Sequence, residues 1–209
     1  MAKYLDSKCK LCRRAGEKLF LKGERCHGPK CAMVKRNYPP GFHGPKGKKR
    51  LTDYALQLNE KQKAKRQYNM LEKQFKLTFE RAKKKQGNAG ENFLSLLEMR
   101  FDNAVFRSGF ASSRNQARQL ISHGLLTING KKVDIPSYNV KTGDLIAIKT
   151  NKKNAKIFDG LNEKIKQKEI PGWINFDIKV LSAKVLHEPK VKELNTNFNV
   201  QQIVEYYSR

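Results

Sequence analysis

The four cysteines are the feature that most constrains how this chain can fold. They all fall within residues 9 to 31, as Cys9-x2-Cys12 followed by Cys26-x4-Cys31. Glycine and proline interrupt every candidate helix in residues 1–50, so this segment has little apolar core of its own. Two short-range thiol pairs joined by a loop can supply the ligands of a tetrahedral ion. The spacing therefore predicts a structural zinc site that folds a loop-rich extension.

Three other interpretations of the cysteines stay open at this point. They could be unrelated reduced thiols, they could hold an iron–sulfur cluster, or His27 could replace one cysteine as a ligand. If protein side chains fill all four positions, no position is left for a substrate, which favours a structural role over catalysis. We find no nucleophile placed beside a base elsewhere in the sequence, and we predict that the protein is not an enzyme.

The charge balance indicates a polyanionic partner. The 44 lysines and arginines against 19 acidic residues give a formal net charge of +25. Residues 1–50 are the most basic part, with 15 basic and 3 acidic side chains. Nucleic acid is the leading candidate for such a partner. No apolar run reaches the roughly 18 residues of a membrane span, and the N-terminus lacks the apolar core of a secretory signal, so we expect a cytosolic protein.

Apolar periodicity predicts an α+β protein. A helix should run from the N-cap Thr52 towards Gly87, and a second over residues 91–107. Ser113 and Gln116 form a capping-box pattern that predicts a helix over about 114–123. The sequence LLTI-NG-KKVD then predicts a tight hairpin, and residues 141–149 a third strand. Residues 151–170 resemble a weakly amphipathic helix, residues 173–186 alternate as a strand does, and residues 197–209 are apolar enough to dock.

Three groups of cations are candidates for contact with RNA phosphates. Lys46, Lys48, Lys49 and Arg50 follow glycines in a basic loop, although a lysine run of this kind can also be plain solvated surface. Lys83 and Lys84 close a predicted helix, where the helix dipole alone would favour them. Arg114 and Arg118 lie four residues apart and predict a cationic helix face opposite an apolar one. A simple α+β core with exposed arginines is the alternative for that helix.

Residues 96–149 closely resemble the RNA-binding domain named after the fourth protein of the small ribosomal subunit, here called S-four. That domain also occurs in pseudouridine synthases and in a class of tyrosyl-tRNA synthetases. The sequences LTDYALQLNEKQK (51–63), GNAGENFL (87–94) and IVEYYSR (203–209) are similar to the bacterial ribosomal family itself. An enzyme carrying this domain would need a further catalytic domain, and a free RNA-binding regulator is the other alternative.

The resemblance implies a three-part organisation. Residues 1–50 would form a basic extension with the cysteine site, residues 51–98 with about 166–209 a helical body, and residues 99–165 an inserted RNA-binding lobe. It implies binding to the five-prime domain of small-subunit rRNA early in assembly. It also implies a place at the messenger RNA entry channel beside proteins S-three and S-five, and a contribution to translational accuracy. Some members repress translation of their own operon.

The resemblance also assigns roles to residues. Arg114 and Arg118 match the RNA-facing helix, and Lys46, Lys48 and Arg50 match the loop that lines the entry channel. Cys9, Cys12, Cys26 and Cys31 match members that keep a four-cysteine site for one structural zinc ion. The full predicted RNA-binding set is Arg13, Arg14, Lys46, Lys48, Lys49, Arg50, Lys83, Lys84, Arg114, Arg118, Lys131 and Lys132.

Overall fold

The computed structural model describes residues 4–47, 50–152, 155–166, 169–178, 180–194 and 196–209. The chain divides into two compact units. Met1–Phe93 with Thr196–Arg209 form one, called the N-terminal unit here, and Leu94–Asn195 form the other, called the sheet unit. The helices are α1 (Lys8–Ala15), α2 (Ala32–Lys35), α3 (Asp53–Gln67), α4 (Glu72–Lys84), α5 (Ala89–Glu98), α6 (Phe101–Arg107), α7 (Arg114–Ser122), α8 (Leu161–Lys166) and α9 (Val200–Ser208).

In the N-terminal unit, the segment predicted as one helix from Thr52 forms two. Thr52 caps α3 as expected, because its Oγ1 accepts a hydrogen bond from the Ala55 N–H at 3.3 Å. The helix ends at Gln67 with Tyr68 as its C-cap, and Asn69 takes a left-handed φ of 53°, a conformation that asparagine tolerates better than most residues. The apolar period continues across this break, so periodicity alone did not reveal it. At the end of the chain, α9 packs against α3. This agrees with the prediction that residues 197–209 dock on the rest of the protein.

The sheet unit contains one antiparallel sheet in the described part of the chain. Its strands are β1 (Leu126–Ile128), β2 (Lys131–Lys132), β3 (Leu145–Ile148), β4 (Ile174–Asp177) and β5 (Ser182–Val185), in the order β2-β1-β3-β5-β4. The hairpin predicted at Asn129-Gly130 is present, and both turn residues have positive φ, as a type I′ turn needs. The α+β class is confirmed.

The structure of the sheet unit differs from the predictions in three places. Residues from about 166 were expected in the helical body, but β5 pairs with β3, placing Ala183 opposite Ile146, and the compact unit extends to Asn195. The helix predicted over 91–107 is split into α5 and α6, because Arg100 leaves the helix to form a bridge with Asn139. Of the helix predicted over 151–170, only α8 and short 3-10 turns are present in the described residues.

A buried ionic network joins the helices of the sheet unit. The Glu98 side chain is fully buried and accepts two hydrogen bonds from Arg107, both at 2.9 Å, and one from Asn103 at 2.7 Å. The carboxylate of Asp102, 2 % exposed, accepts bonds from Arg100 at 3.0 and 3.2 Å. Burial makes each carboxylate costly unless it is paired, and here each is. The network therefore orients the end of α5 and all of α6 around fixed charges.

We expect Asp102→Asn to destabilise the sheet unit. The variant keeps the shape of the side chain but removes the negative charge that faces the guanidinium of Arg100. Breaking a buried pair by neutralising one partner costs about 3 kcal/mol. Urea unfolding followed by the fluorescence of Trp173, the only tryptophan of the chain and a fully buried residue of this unit, measures the loss.

The matched control is Asp134→Asn. Asp134 pairs with Lys132 at 3.9 Å, and the two side chains are 58 % and 56 % exposed. An exposed pair of this kind contributes about 0.5 kcal/mol or less. If Asp102→Asn lowers the free energy of unfolding no more than Asp134→Asn does, the network is not what stabilises this unit.

Candidate functional site

The structure brings the four cysteines to one small cavity. The first helix, α1, carries Cys9 and Cys12 three residues apart, on the same face. Cys26 ends a 3-10 turn (Gly23–Cys26), and Cys31 directly precedes α2. The cavity is lined by Lys8, Cys9, Cys12, Leu21, Lys22, Arg25, Cys26, Cys31, Ala32 and Met33. The thiols are thus close together, although in the described residues no group of three or more Cys, His, Asp or Glu side chains has the spacing that a metal ion needs.

The surroundings of these thiols combine burial with backbone hydrogen bonds to sulfur. The Lys22 N–H donates to Cys26 Sγ at 3.3 Å, a bond that stabilises a thiolate. Burial raises the pKa of the Cys12 thiol, a backbone hydrogen bond from Leu19 lowers it in part, and negative charge on the other three sulfurs raises it again. Four neighbouring thiolates would repel one another unless a cation lay between them.

His27 takes no part in this arrangement in the described structure. Its ring stacks on Phe20 with centroids 5.0 Å apart, and it does not line the cavity. The interpretation in which His27 replaces a cysteine has therefore no support from the geometry.

The predicted RNA-binding residues of the N-terminal unit differ in how accessible they are. Arg14, Lys46, Arg50, Lys83 and Lys84 are exposed. Arg13 is half-buried and points inward: its Nε and Nη2 donate to the carbonyls of Tyr38 and Pro39 at 2.9 and 3.2 Å. Its role is therefore structural in the described state.

Lys48 and Lys49, which complete the predicted basic loop, lie outside the described residues.

The structure corrects the prediction that α7 has an exposed cationic face. Arg114 and Arg118 do share one face, but their exposures are only 9 % and 6 %. That face packs on the acidic network of the unit: Arg118 Nη1 donates to Asp102 Oδ2 at 3.0 Å, and Arg114 Nε donates to Asn103 Oδ1 at 2.8 Å. Their charges are neutralised inside the protein. The signal that could have revealed this is the pair Glu98 and Asp102, two acids four residues apart among the apolar side chains of residues 93–106.

Other side chains form the exposed surface near this helix. Gln119 and His123 are exposed at its end, and the distance between Gln119 Nε2 and His123 Nε2 is 2.6 Å. Neither residue was among those predicted to bind RNA. Lys131 and Lys132 form the whole of the short strand β2, and both are exposed as predicted. The side chain of Lys132 passes directly over Gly124, where a Cβ would collide with it. The end of α7 and the hairpin therefore present one polar, basic surface.

Within the described residues, no helix combines the length and apolar character needed to cross a membrane.

Comparison with known protein families covers both units. A family model described as the ribosomal protein S4/S9 N-terminal domain matches residues 3–98. A second, described as the S4 domain, matches residues 99–146. This second match contains most of the ionic network, together with α7 and the hairpin of the sheet unit.

Whole-length relatives agree with the domain matches. The small ribosomal subunit proteins uS4 of Heliobacterium modesticaldum and Clostridioides difficile are each 49 % identical to the chain over 209 residues. The uS4 protein of Thermus thermophilus is 48 % identical over the same length. Each alignment covers 100 % of this chain and 100 % of the relative. Because two domain models and relatives of equal length agree, the chain belongs to the uS4 family of small ribosomal subunit proteins.

Proposed function

We propose that the protein is a structural component of the small ribosomal subunit in the cytoplasm that binds rRNA, and that it is not an enzyme. The observation that carries this proposal is full-length identity of nearly half to proteins named uS4. The formal net charge of +25 supplies the attraction to a polyanion. Within the family, we propose the five-prime domain of small-subunit rRNA as the primary ligand, bound early in assembly.

The RNA contacts of the sheet unit are proposed for its exposed lysines. Lys131 and Lys132 are adjacent in sequence on an edge strand, so their side chains can reach phosphates on either side of the hairpin. Gln119 and His123 add hydrogen-bonding groups beside them, as recognition of RNA by shape and backbone requires. Arg114 and Arg118 act indirectly, because they fix the helix that carries Gln119 and His123.

The N-terminal unit contributes a second proposed surface. Arg14, Lys46, Arg50, Lys83 and Lys84 are exposed cations in a part of the chain with a strong basic excess. We propose that Lys46 and Arg50, with Lys48 and Lys49, contact messenger RNA at the entry channel beside proteins S-three and S-five, and that they contribute to translational accuracy. Repression of the protein's own operon, as in some members of the family, is a second proposed role of the same RNA-binding surfaces.

We also propose that Cys9, Cys12, Cys26 and Cys31 bind one structural zinc ion. Their shared cavity, the N–H bond to Cys26 Sγ and the lysines and arginine around them suit an anionic four-thiolate centre. The apolar cluster of this segment is small, consisting of Cys12, Leu19, Leu21, Cys31 and Met33, so an ion would add cohesion that burial alone cannot provide. When bound, zinc would cross-link α1 to the residues around α2.

Removing both lysines of β2 should weaken RNA binding. For the double variant Lys131→Ala with Lys132→Ala, we expect a lower affinity for a five-prime-domain rRNA fragment. The slope of log affinity against log salt should decrease in magnitude by about 1 to 2, because binding releases about 0.9 fewer counterions for each phosphate contact that is lost. Filter binding at several salt concentrations measures both quantities.

Lys73→Ala with Lys76→Ala is the matched control, because it removes the same charge from exposed positions of α4 outside the proposed surfaces. If the two double variants lower the salt slope equally, net charge and not the hairpin surface explains the binding.

The zinc proposal predicts about one zinc ion per chain in protein purified under reducing conditions. Cys26→Ser should lower the bound zinc substantially, whereas His27→Ala should leave it unchanged, because His27 lies outside the cavity. Elemental analysis of the purified proteins measures the ion. Metal-free protein with all four thiols reduced would contradict the proposal, and bound iron with a visible absorbance band would favour the cluster instead.

A further inference from the structure

A tight turn in the N-terminal unit places two aromatic side chains at its tip. The turn runs from Gly41 to Gly44 and is closed by the Gly44 N–H, which donates to the Gly41 carbonyl at 3.1 Å. Phe42 and His43 occupy its two central positions, and His43 has φ −82° and ψ −1°, values typical of the third residue of a type I turn. Their rings meet edge to face with centroids 5.3 Å apart.

The base of this turn is held by the rest of the unit. Arg13 donates to the carbonyls of Tyr38 and Pro39, and its guanidinium lies 4.7 Å from the centre of the Tyr38 ring. Gly44 is buried against Pro39, so closely that a Cβ at this position would collide with the Pro39 carbonyl. The following 3-10 turn adds the bond from the Gly47 N–H to the Gly44 carbonyl at 3.2 Å. The turn is therefore anchored at both ends.

The side chain of Phe42 has no apolar environment in the described part of the protein. It is 91 % exposed, more than any other large hydrophobic side chain in the described residues, and the next is Leu5 at 79 %. An isolated exposed apolar residue on a surface needs no special explanation. Here, however, the exposed ring is an aromatic one at the tip of an anchored turn, a position that a partner can reach.

The charge around the turn specifies the partner. Residues 37–50 contain four lysines and arginines and no acidic residue. Of these, Lys46 and Arg50 are exposed in the described structure, two and six residues after Gly44 in the sequence. Cations that attract a backbone of phosphates, combined with an aromatic ring on which a base can stack, are the two elements with which proteins bind single-stranded nucleic acid. An apolar pocket of another protein would not require the surrounding positive charge.

The geometry points to Phe42 as a stacking platform for an unpaired base of RNA whose phosphates lie on Lys46 and Arg50. This inference rests on the proposed RNA-binding function and names a specific contact within it. The edge-to-face contact with His43 adds to the anchored turn that carries the ring. A group that is positioned before binding loses less conformational entropy when a base stacks on it. Arg13 is a positioning residue in this arrangement, because it fixes the base of the turn.

The test uses the full-length protein and two RNAs, an unstructured oligouridylate of about 12 nucleotides and a five-prime-domain rRNA fragment. Phe42→Leu keeps an apolar side chain and removes the aromatic face, and we expect it to weaken binding about 5-fold or more without changing the salt slope. Phe42→Trp should bind as well as the parent, and its added fluorescence should be quenched by RNA. The native Trp173 is fully buried, so the parent protein provides the background signal.

Tyr54→Leu is the matched control for loss of an aromatic ring. Tyr54 is 49 % exposed in the same unit, but its ring packs on that of Tyr206, with centroids 5.8 Å apart, and it is not part of the proposed platform. We expect its affinity to equal that of the parent. If Phe42→Leu loses affinity only for the rRNA fragment, the stacked base belongs to rRNA. If it also loses affinity for the oligonucleotide, the stacked base belongs to single-stranded RNA such as a message. Either result supports the platform.

Two outcomes overturn the inference. If Phe42→Leu binds both RNAs as tightly as the parent does, or if saturating RNA leaves the fluorescence of Phe42→Trp unchanged, no base stacks on this residue. The proposed function survives such a result as long as the parent binds the rRNA fragment with a steep salt dependence. If the parent itself does not bind that fragment, the proposed function fails together with the platform.

Discussion

The pairing of two buried carboxylates with arginines is the interaction on which the arrangement of the sheet unit depends. Glu98 and Asp102 together contact Arg100, Arg107 and Arg118, with Arg114 at 4.0 Å from Glu98. In a chain with a formal net charge of +25, four arginines on neighbouring helices would repel one another. The two carboxylates offset that repulsion and link the segments that carry the arginines, because each carboxylate can accept several hydrogen bonds from planar guanidinium groups.

The network also separates the tasks of the two basic residue types. Arginine can be buried in an ion pair because its charge is delocalised and its donors form a rigid fork. Lysine is a compact, strongly hydrated charge on a flexible stem, and from an exposed position it can contact a phosphate as a point charge. The sheet unit follows this division: the arginines of α6 and α7 are paired inside it, and Lys131 and Lys132 are exposed on the hairpin. A count of cationic side chains therefore overstates the charge that an RNA would meet.

Local patterns predicted local structure well. The Thr52 cap, the Ser113 cap of α7 and the Asn129-Gly130 turn are all present, because each depends on residues within a few positions of one another. The breaks at Asn69 and Arg100 were not predictable from periodicity, since the apolar spacing continues across both. The membership of β4 and β5 in the sheet depends on pairing with β3, which is distant in sequence and leaves no local signature.

The exposure of the arginines was predicted wrongly, because each positive charge was interpreted without the group that binds it in the folded protein. The 3.6-residue period correctly placed Arg114 and Arg118 on one face, but it could not show that Asp102, sixteen residues before Arg118, lies against that face. Arg13 repeats the pattern in the N-terminal unit, where its donors bind the Tyr38 and Pro39 carbonyls twenty-five and twenty-six residues away. In both units, arginines predicted to contact RNA have donors that are bound within the protein, next to segments that carry exposed lysines or aromatic rings. An arginine near a proposed RNA surface can thus hold that surface in place while its own donors are bound within the protein.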